Sequence, residues 1–237
     1  LAAILNRTLS DGGIVYIPAF ALGRTQEILY ELVRIFSAPE YFKVYPNLKP
    51  GRRPPVFVDS PLGLSITEIY SQMSAFWDQE ACTLIRGGDD PIDFDRLFAV
   101  QSYPQHARLL DFKGPAIIIA GSGMCTGGRI VDHLLAGIED PRNDILFVGY
   151  MAEGTPGREI QAKAREKGRV SLDGSSRQVR AGVHVLSGYS AHADQQGLLD
   201  WVAGMEAKPR MIRLVHGDRE ARRVLGDRLM ERGYVVG

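Results

Sequence analysis

Two of the five histidines in the sequence stand where an imidazole could do chemistry. His192, in the segment SAHAD, and His216, in the segment VHGD, each follow an apolar run and have small neighbours that leave the ring accessible. Imidazole is a common metal ligand and changes its charge near neutral pH, so this placement suits zinc binding or proton transfer. The alternative is that both side chains are hydrogen-bonded and fix a turn. Of the other histidines, His106 in a predicted loop and His133 on a helix flank are interpreted as structural or solvent-facing, and His184 is interpreted as packing within a strand or hairpin.

A glycine-rich segment, GSGMCTGGR at residues 121–129, offers groups that could bind an anion. Its backbone N–H groups, the Ser122 hydroxyl and the Arg129 guanidinium would all donate hydrogen bonds to a phosphate. The glycine spacing differs from the G-x-G-x-x-G pattern of dinucleotide-binding loops. A tight structural turn is an equal alternative. Asp59 precedes a serine and a proline, and this triplet favours a helix cap over a catalytic carboxylate.

These residues follow short runs rich in β-branched side chains, which are typical of buried strands. Helical periodicity follows several of the runs, as in residues 28–36 and 130–138. Strands that alternate with helices predict a parallel α/β sheet covered by helices on both faces, with its site at the carboxyl ends of the strands. The predicted strands are residues 14–17, 56–58, 116–120, 145–148, 183–186 and 211–215.

A basic segment divides the chain into two parts. Residues 158–180 contain an excess of basic side chains and a predicted hairpin at Asp173 and Gly174. Two strand-to-helix units follow this segment. Asp194 is predicted to cap the first of their helices, and Gly233 is predicted to end the second. Each unit places one of the two accessible histidines, His192 or His216, at the carboxyl end of its strand.

The composition excludes several classes of protein. With 237 residues, 45% hydrophobic and 24% charged, the chain is neither disordered nor of low complexity. Its longest apolar stretches are about five residues, far below the roughly 20 that a membrane span needs. With no signal-peptide pattern and two isolated cysteines, Cys82 and Cys125, the sequence predicts a cytoplasmic protein without a cysteine-based zinc site. A net charge of zero argues against a long electrostatic nucleic-acid tract.

Six collinear segments resemble the metallo-β-lactamase/β-CASP family of nucleic-acid-processing nucleases, and they extend over nearly the whole chain. The segments are GGIVYIPAFALGRTQEILYEL (12–32), VFVDSPLG (56–63), IIIAGSGMCTGGRIVDHL (117–134), ILFVGYMAEGTPGREI (145–160), LSGYSAHADQQGLLDW (186–201) and IRLVHGDREA (212–221).

The resemblance implies a division into two domains. Residues 1–182 would form a Rossmann-like β-CASP domain that lacks its very start, with a parallel sheet flanked by helices. Residues 183–237 would supply the C-terminal strand-helix units of a metallo-β-lactamase αββα fold. In this family RNA lies in the cleft between the two domains, over a pair of zinc ions. RNA is therefore the expected partner, with single-stranded DNA as the alternative.

The resemblance also implies roles for individual residues. His192 would be the catalytic histidine that contacts the scissile phosphate and protonates the leaving oxygen. His216 would bind one zinc ion. Ser190 and Asp194 would bind phosphate or orient His192, while Ser122 and Arg129 would face the substrate in the cleft.

The sequence departs from the family because it contains no H-x-H-x-D-H zinc motif. The expectation is therefore a part of a zinc-dependent RNA-processing nuclease, endonucleolytic or exonucleolytic, that is inactive without an N-terminal metallo-β-lactamase half. Apolar faces left uncovered would favour a homodimer. A non-catalytic RNA-binding or scaffolding module is the main alternative, and a Rossmann-like nucleotide or methyl-donor binder ranks last.

Overall fold

The computed structural model describes residues 1–49, 51–88, 90–186, 188 and 193–237. Contacts between residues divide the chain into two compact units, Leu1–Tyr189 and Ser190–Gly237. None of the described helices is both long and apolar enough to cross a membrane. The domain boundary predicted between residues 182 and 183 comes from the family resemblance and not from these contacts, so it stays a prediction.

The described part of the first unit is built on a six-stranded sheet with the order β3-β2-β4-β1-β5-β8. All neighbouring strands in this sheet are parallel, so their carboxyl ends lie along one edge. The strands are β1 (Ile14–Pro18), β2 (Val56–Asp59), β3 (Leu97–Ala99), β4 (Ala116–Ala120), β5 (Asp144–Phe147) and β8 (Gly182–Val185). A separate antiparallel hairpin consists of β6 (Arg169–Leu172) and β7 (Ser175–Gln178).

Helices cover both faces of the sheet, which explains why every residue of β1 and β4 is buried. One face packs Tyr16 and Ile118 against Leu134, and the other packs Ile17 and Ile119 against Leu32. The helices of this unit are α1 (Ala2–Ser10), α2 (Arg24–Ser37), α3 (Pro39–Val44), α4 (Pro61–Gln72), α5 (Gln79–Arg86), α6 (Tyr103–Leu110), α7 (Arg129–Gly137) and α8 (Pro156–Lys163), with 3₁₀ turns at Pro46–Leu48 and Ser74–Phe76.

The chain changes direction across the sheet between β1 and β4. After β1 it runs through α2 to β2, on one side of this pair, whereas after β4 it runs through α7 to β5, on the other side. The two helices pack on opposite faces. The loops at residues 19–23 and 121–128 therefore diverge at the carboxyl edge, and such a switch point is where open α/β sheets bind ligands.

The structure confirms the predicted parallel α/β sheet and five of its strands, each within one residue of the predicted position. The hairpin predicted at Asp173 and Gly174 is the turn between β6 and β7. The sequence analysis missed β3, because Leu97–Ala99 is short and two of its three residues are exposed at the edge of the sheet.

The second unit contains α9 (Gln195–Ala203) and α10 (Arg219–Glu231), which pack through Leu199, Val202 and Leu229. As predicted, Asp194 caps the first helix, and its carboxylate accepts a hydrogen bond from the Gly197 N–H. The strand predicted at residues 211–215 is wrong. In the described part of the chain this segment makes one isolated bridge, between Ile212 and Val236, because it has no neighbouring strand with which to form a ladder.

Candidate functional site

The loops after β1 and β4 contact each other at the carboxyl edge of the sheet, and the second loop borders an opening that is called the crevice below. The Ala19 N–H donates to the Ala120 carbonyl at 3.0 Å. A Cβ atom on Gly123 would lie 2.8 Å from the Phe20 ring, so this close approach requires glycine. Gly128 has a φ of +75°, and a Cβ atom there would lie 2.6 Å from the Gly121 carbonyl oxygen. The glycine-rich segment is thus a compact loop at the switch point of the sheet.

Ser122 lies within this loop and is half-buried. Its hydroxyl oxygen accepts a hydrogen bond from the Thr126 N–H at 3.0 Å and lies 3.1 Å from the Thr126 hydroxyl. The C-terminal half of the loop borders a cavity of about 430 Å³ together with Arg129, Asp132 and Asp173. Positively and negatively charged side chains therefore line the opening beside the loop.

A buried carboxylate stands beside the crevice, at the last residue of β2. The Asp59 side chain is fully buried and accepts hydrogen bonds from two imidazoles. His106 Nδ1 and His133 Nε2 both lie 2.6 Å from its Oδ2. Arg129 Nη1 donates to the other oxygen, Oδ1, at 2.7 Å. This group of four side chains is called the Asp59 cluster below.

The Asp59 cluster keeps its carboxylate ionised. Burial by itself raises the pKa of Asp59, but the hydrogen bonds from His133, His106 and Arg129 outweigh burial and lower the pKa below its ordinary value. His106 also places Nε2 at 3.1 Å from the Asp132 carboxylate.

Arg129 connects this cluster to a neighbouring strand. Besides Asp59, its guanidinium donates to the carbonyls of Val100 and Gln101, which follow β3, at 2.8 Å and 3.0 Å. Arg129 and His133 are four residues apart on α7 and therefore face the same way. Together they fix the start of α7 against the ends of β2 and β3.

The Asp59 cluster does not fit a zinc ion, although its three candidate ligand atoms lie within 4.8 Å of one another. Zinc at its usual bond lengths of about 2.0–2.1 Å holds tetrahedral ligand atoms about 3.3 Å apart. Here the imidazole nitrogens approach the carboxylate oxygen to 2.6 Å, which is a hydrogen-bond distance. The Arg129 charge would also repel a cation. The arrangement is a hydrogen-bonded ion cluster.

The predicted site residues fall into three groups: residues at the edge of the sheet, residues in the second unit and residues that the structure does not describe. Ser122 and Arg129 lie at the carboxyl edge of the sheet, where the Arg129 guanidinium is engaged by Asp59 and by two backbone carbonyls. His216 is exposed in the second unit, with a φ of 68°, and it borders a cavity of about 910 Å³ with Trp201 and Val215. Asp194 is the helix cap described above. Ser190 and His192 lie outside the described residues, and the substrate, catalytic and zinc-binding roles of all six residues stay predictions.

Sequence reasoning missed the Asp59 cluster. The predicted cap is wrong by one residue, because the Ser60 hydroxyl caps α4 by accepting the Gly63 N–H at 3.2 Å. His106 lies on α6 rather than in the predicted loop, and both it and His133 are buried, which agrees with the structural alternative and not with the solvent-facing one. The one usable signal was the spacing of Arg129 and His133, which places both side chains on one face of a helix.

The fold and the crevice define the class of protein: a doubly wound α/β domain with its site at the carboxyl edge of a parallel sheet. A family model described as the Beta-Casp domain matches residues 25–160, more than half of the chain. A second family model, described as the Zn-dependent metallo-hydrolase RNA specificity domain, matches residues 176–236.

Comparison with individual proteins agrees with the family models. Ribonuclease TTHA0252 of Thermus thermophilus is 38% identical over 233 residues, which cover 98% of this chain and 50% of that protein. Transcription termination factor FttA of Methanosarcina mazei is 32% identical over 93% of this chain and 33% of that protein. The chain belongs to the metallo-β-lactamase/β-CASP family. It spans about half the length of the first of these relatives and a third of the second.

Proposed function

We propose that this chain is the RNA-binding β-CASP portion, with the end of the metallo-β-lactamase domain, of a zinc-dependent nuclease that hydrolyses phosphodiester bonds in RNA. The observation that carries the proposal is the order of the two family matches, Beta-Casp followed by the RNA specificity domain, in a chain that aligns over 98% of its length with a ribonuclease. The isolated chain is expected to be inactive.

The carboxyl-edge crevice suits a single strand of nucleic acid. Exposed aromatic rings follow three of the strands at this edge, Phe20 after β1, Tyr103 after β3 and Tyr150 after β5. Such rings can stack with bases irrespective of sequence. The Ser122 hydroxyl and the N–H groups of the glycine-rich loop are donors for phosphate oxygens. The Asp59 cluster holds this loop in position through Arg129, and its buried members Asp59, His106 and His133 have no direct contact with substrate in the proposal.

Most of the ligands that hold zinc would lie outside this chain. In the described ranges, His216 does not belong to any group of three closely spaced histidine, cysteine, aspartate or glutamate side chains. We assign it as one ligand and His192 as the group that protonates the leaving oxygen. When bound, zinc would supply an activated water and offset negative charge on the phosphate.

The proposal is tested in the longer protein that carries the full set of zinc ligands. The His192→Ala variant should lose most RNA cleavage, since proton transfer typically contributes about 10²–10⁴-fold to a rate. It should keep its zinc content, whereas His216→Ala should lose zinc as well as activity. Normal cleavage and normal zinc content in either variant would contradict the corresponding assignment.

The main alternative is a scaffold that binds RNA without cutting it. The presence of both His192 and His216 disfavours a scaffold, because RNA binding alone does not require them. A scaffold would bind an oligoribonucleotide in excess chelator, and the longer protein would show no zinc-dependent cleavage. Cleavage that disappears with chelator and returns with zinc would exclude the scaffold.

A further inference from the structure

The strand ends opposite the crevice carry a concentrated positive charge. The chain segments that enter β2, β3 and β4 meet at the amino edge of the sheet, because these strands are neighbours and parallel. They border a pocket of about 310 Å³. Four of its lining residues are basic: Arg52, Arg53, Arg96 and Lys113. This group is called the amino-edge pocket below.

Among the residues that the structure describes, no acidic side chain lines the amino-edge pocket. In the parts of the chain that the structure describes, Arg52, Arg96 and Lys113 make no ion pair within 4.0 Å. Asp95 interacts with Arg53, and Asp140 with Lys113, through charge at longer range. Cations that converge without a counterion repel one another, and a bound anion removes this repulsion.

Two of the arginines in the pocket are held by side-chain contacts or by an unusual backbone conformation. Arg53 packs over the Phe36 ring at 5.5 Å and donates to the Phe36 carbonyl from Nη2, while its buried Nε has no hydrogen-bond partner. Arg96 has a φ of 70°, a conformation that non-glycine residues rarely adopt outside functional or tightly constrained positions. The same pocket also includes Phe112, whose half-buried ring offers an apolar surface.

We propose that the amino-edge pocket binds a phosphate ester, supplied either by the backbone of an RNA strand that extends beyond the crevice or by a free nucleotide. Guanidinium groups suit this ligand because they donate two parallel hydrogen bonds to phosphate oxygens. Its volume suits a nucleotide-sized group. The RNA source rests on the proposed function, whereas the phosphate chemistry does not.

The pocket is distinct from the crevice. Val56 and Asp59 are the two ends of β2, and strands rise about 3.3 Å per residue, so the pocket and the Asp59 cluster are separated by roughly 10 Å of strand. Substitutions of exposed arginines at the amino edge therefore leave the Asp59 cluster and the glycine-rich loop in place.

Isothermal titration calorimetry of the 237-residue chain with two probes tests the proposal. The probes are adenosine 5′-monophosphate and a ten-nucleotide oligoribonucleotide. The variant Arg52→Ala/Arg96→Asn removes two cations, and asparagine tolerates the left-handed backbone at position 96. We expect its affinity for at least one probe to fall about tenfold. For the oligonucleotide, the slope of log K against log salt should become shallower by about 1.4, corresponding to two lost phosphate contacts.

Two control variants separate the pocket from general effects. Arg34→Ala/Arg86→Ala removes the same charge from helices outside the pocket and should change neither affinity nor salt slope. Arg52→Lys/Arg96→Lys keeps the charge but removes the paired guanidinium donors, so it should keep the wild-type salt slope and bind more weakly than the wild type. An unchanged circular dichroism spectrum of the first variant would show that its loss of binding is not unfolding.

Each outcome is decisive. Loss of nucleotide binding alone identifies a free nucleotide, and loss of oligonucleotide binding alone identifies an RNA strand. If the wild-type chain binds the nucleotide but no RNA, the pocket stands and the proposed function fails. If the wild-type chain binds neither probe, or the first variant binds both as the wild type does, the pocket proposal is wrong.

Discussion

Two aspartates at opposite ends of the sheet are buried, and in both the cost of burying the carboxylate is offset by hydrogen bonds from similar partners. Asp59 ends β2 at the carboxyl edge and accepts hydrogen bonds from His106, His133 and Arg129. Asp144 begins β5 at the amino edge, where Arg7, Thr8 and His184 donate to it. Burial raises the pKa of both carboxyl groups, and in both the hydrogen bonds outweigh burial and lower it. A buried carboxylate is stable only with such compensation.

The two sites differ in what surrounds the partners. At Asp144, half of the Arg7 side chain is exposed, and His184 is also reached by solvent. Its partners lie on α1 and β8, so this carboxylate ties a helix and an edge strand to the sheet. At Asp59 both imidazoles are buried and Arg129 is 19% exposed. Its partners lie on α6 and α7, beside the glycine-rich loop. The first arrangement holds the fold together, and the second also holds a loop at the crevice.

Replacing each aspartate by asparagine gives the largest expected effect. Asp59→Asn removes the negative charge that faces Arg129 and the oxygen that accepts from two buried imidazoles, and it should cost about 3–5 kcal/mol in the free energy of unfolding. Asp144→Asn should cost less, about 1–3 kcal/mol, because water can solvate the released Arg7 and His184. Urea denaturation measures both, with Asp227→Asn, at a half-exposed surface ion pair with Arg223, as a control that should change little. Equal losses at positions 59 and 144 would remove the proposed distinction.

Two glycines with similar backbone angles extend the comparison to the turns at each edge. Gly128 and Gly12 have φ values of +75° and +79°, but a Cβ atom would clash only at Gly128. Gly128→Ala should therefore cost about 1–3 kcal/mol, combining backbone strain with the clash. Gly12→Ala should cost about 1 kcal/mol from the backbone angle alone. Thermal and urea unfolding of both variants would test whether the loop at the crevice is the more constrained.

Acid unfolding gives a smaller effect and tests the pKa values directly. Both aspartates have a folded-state pKa below the ordinary value of 3.8. A lowered pKa stabilises the fold above the unfolded-state value, and this contribution is lost as the pH falls through the folded-state pKa. We expect the free energy of unfolding to decrease as the pH falls below about 4. Asp144→Asn should decrease less steeply over this range, while Ser10→Ala keeps the wild-type slope. Parallel curves for all three proteins would contradict the hydrogen-bond account.

The smallest expected effect concerns RNA affinity at the carboxyl edge. Removing the Ser122 hydroxyl should weaken binding of an oligoribonucleotide up to about fivefold, the value of a single hydrogen bond. Ser10→Ala, at the amino edge of the sheet, should leave the affinity unchanged. Fluorescence anisotropy at fixed salt measures both variants. An equal affinity for Ser122→Ala and the wild type would exclude the serine as a phosphate ligand.

Much of the first unit could be predicted from the sequence, and the second unit less so. The runs that form β1 and β4 are continuous and β-branched, so their burial follows from local composition. The run at residues 211–215 has a similar composition, yet Val215 is 72% exposed and the segment forms no regular strand in the described chain. A strand depends on a neighbour for its hydrogen bonds, and composition does not supply one.

The sequence by itself determined five of the six strands of the sheet in the described chain, the family and the position of the glycine-rich loop, because periodicity and motifs are local properties of the chain. Only the tertiary structure brought Asp59 to His106 and His133, which are 47 and 74 residues away, and gathered the basic side chains of the amino-edge pocket. Both groups form where β2 lies between β3 and β4. Strand order decides such contacts, and it is fixed by packing over the whole sheet rather than by any single segment.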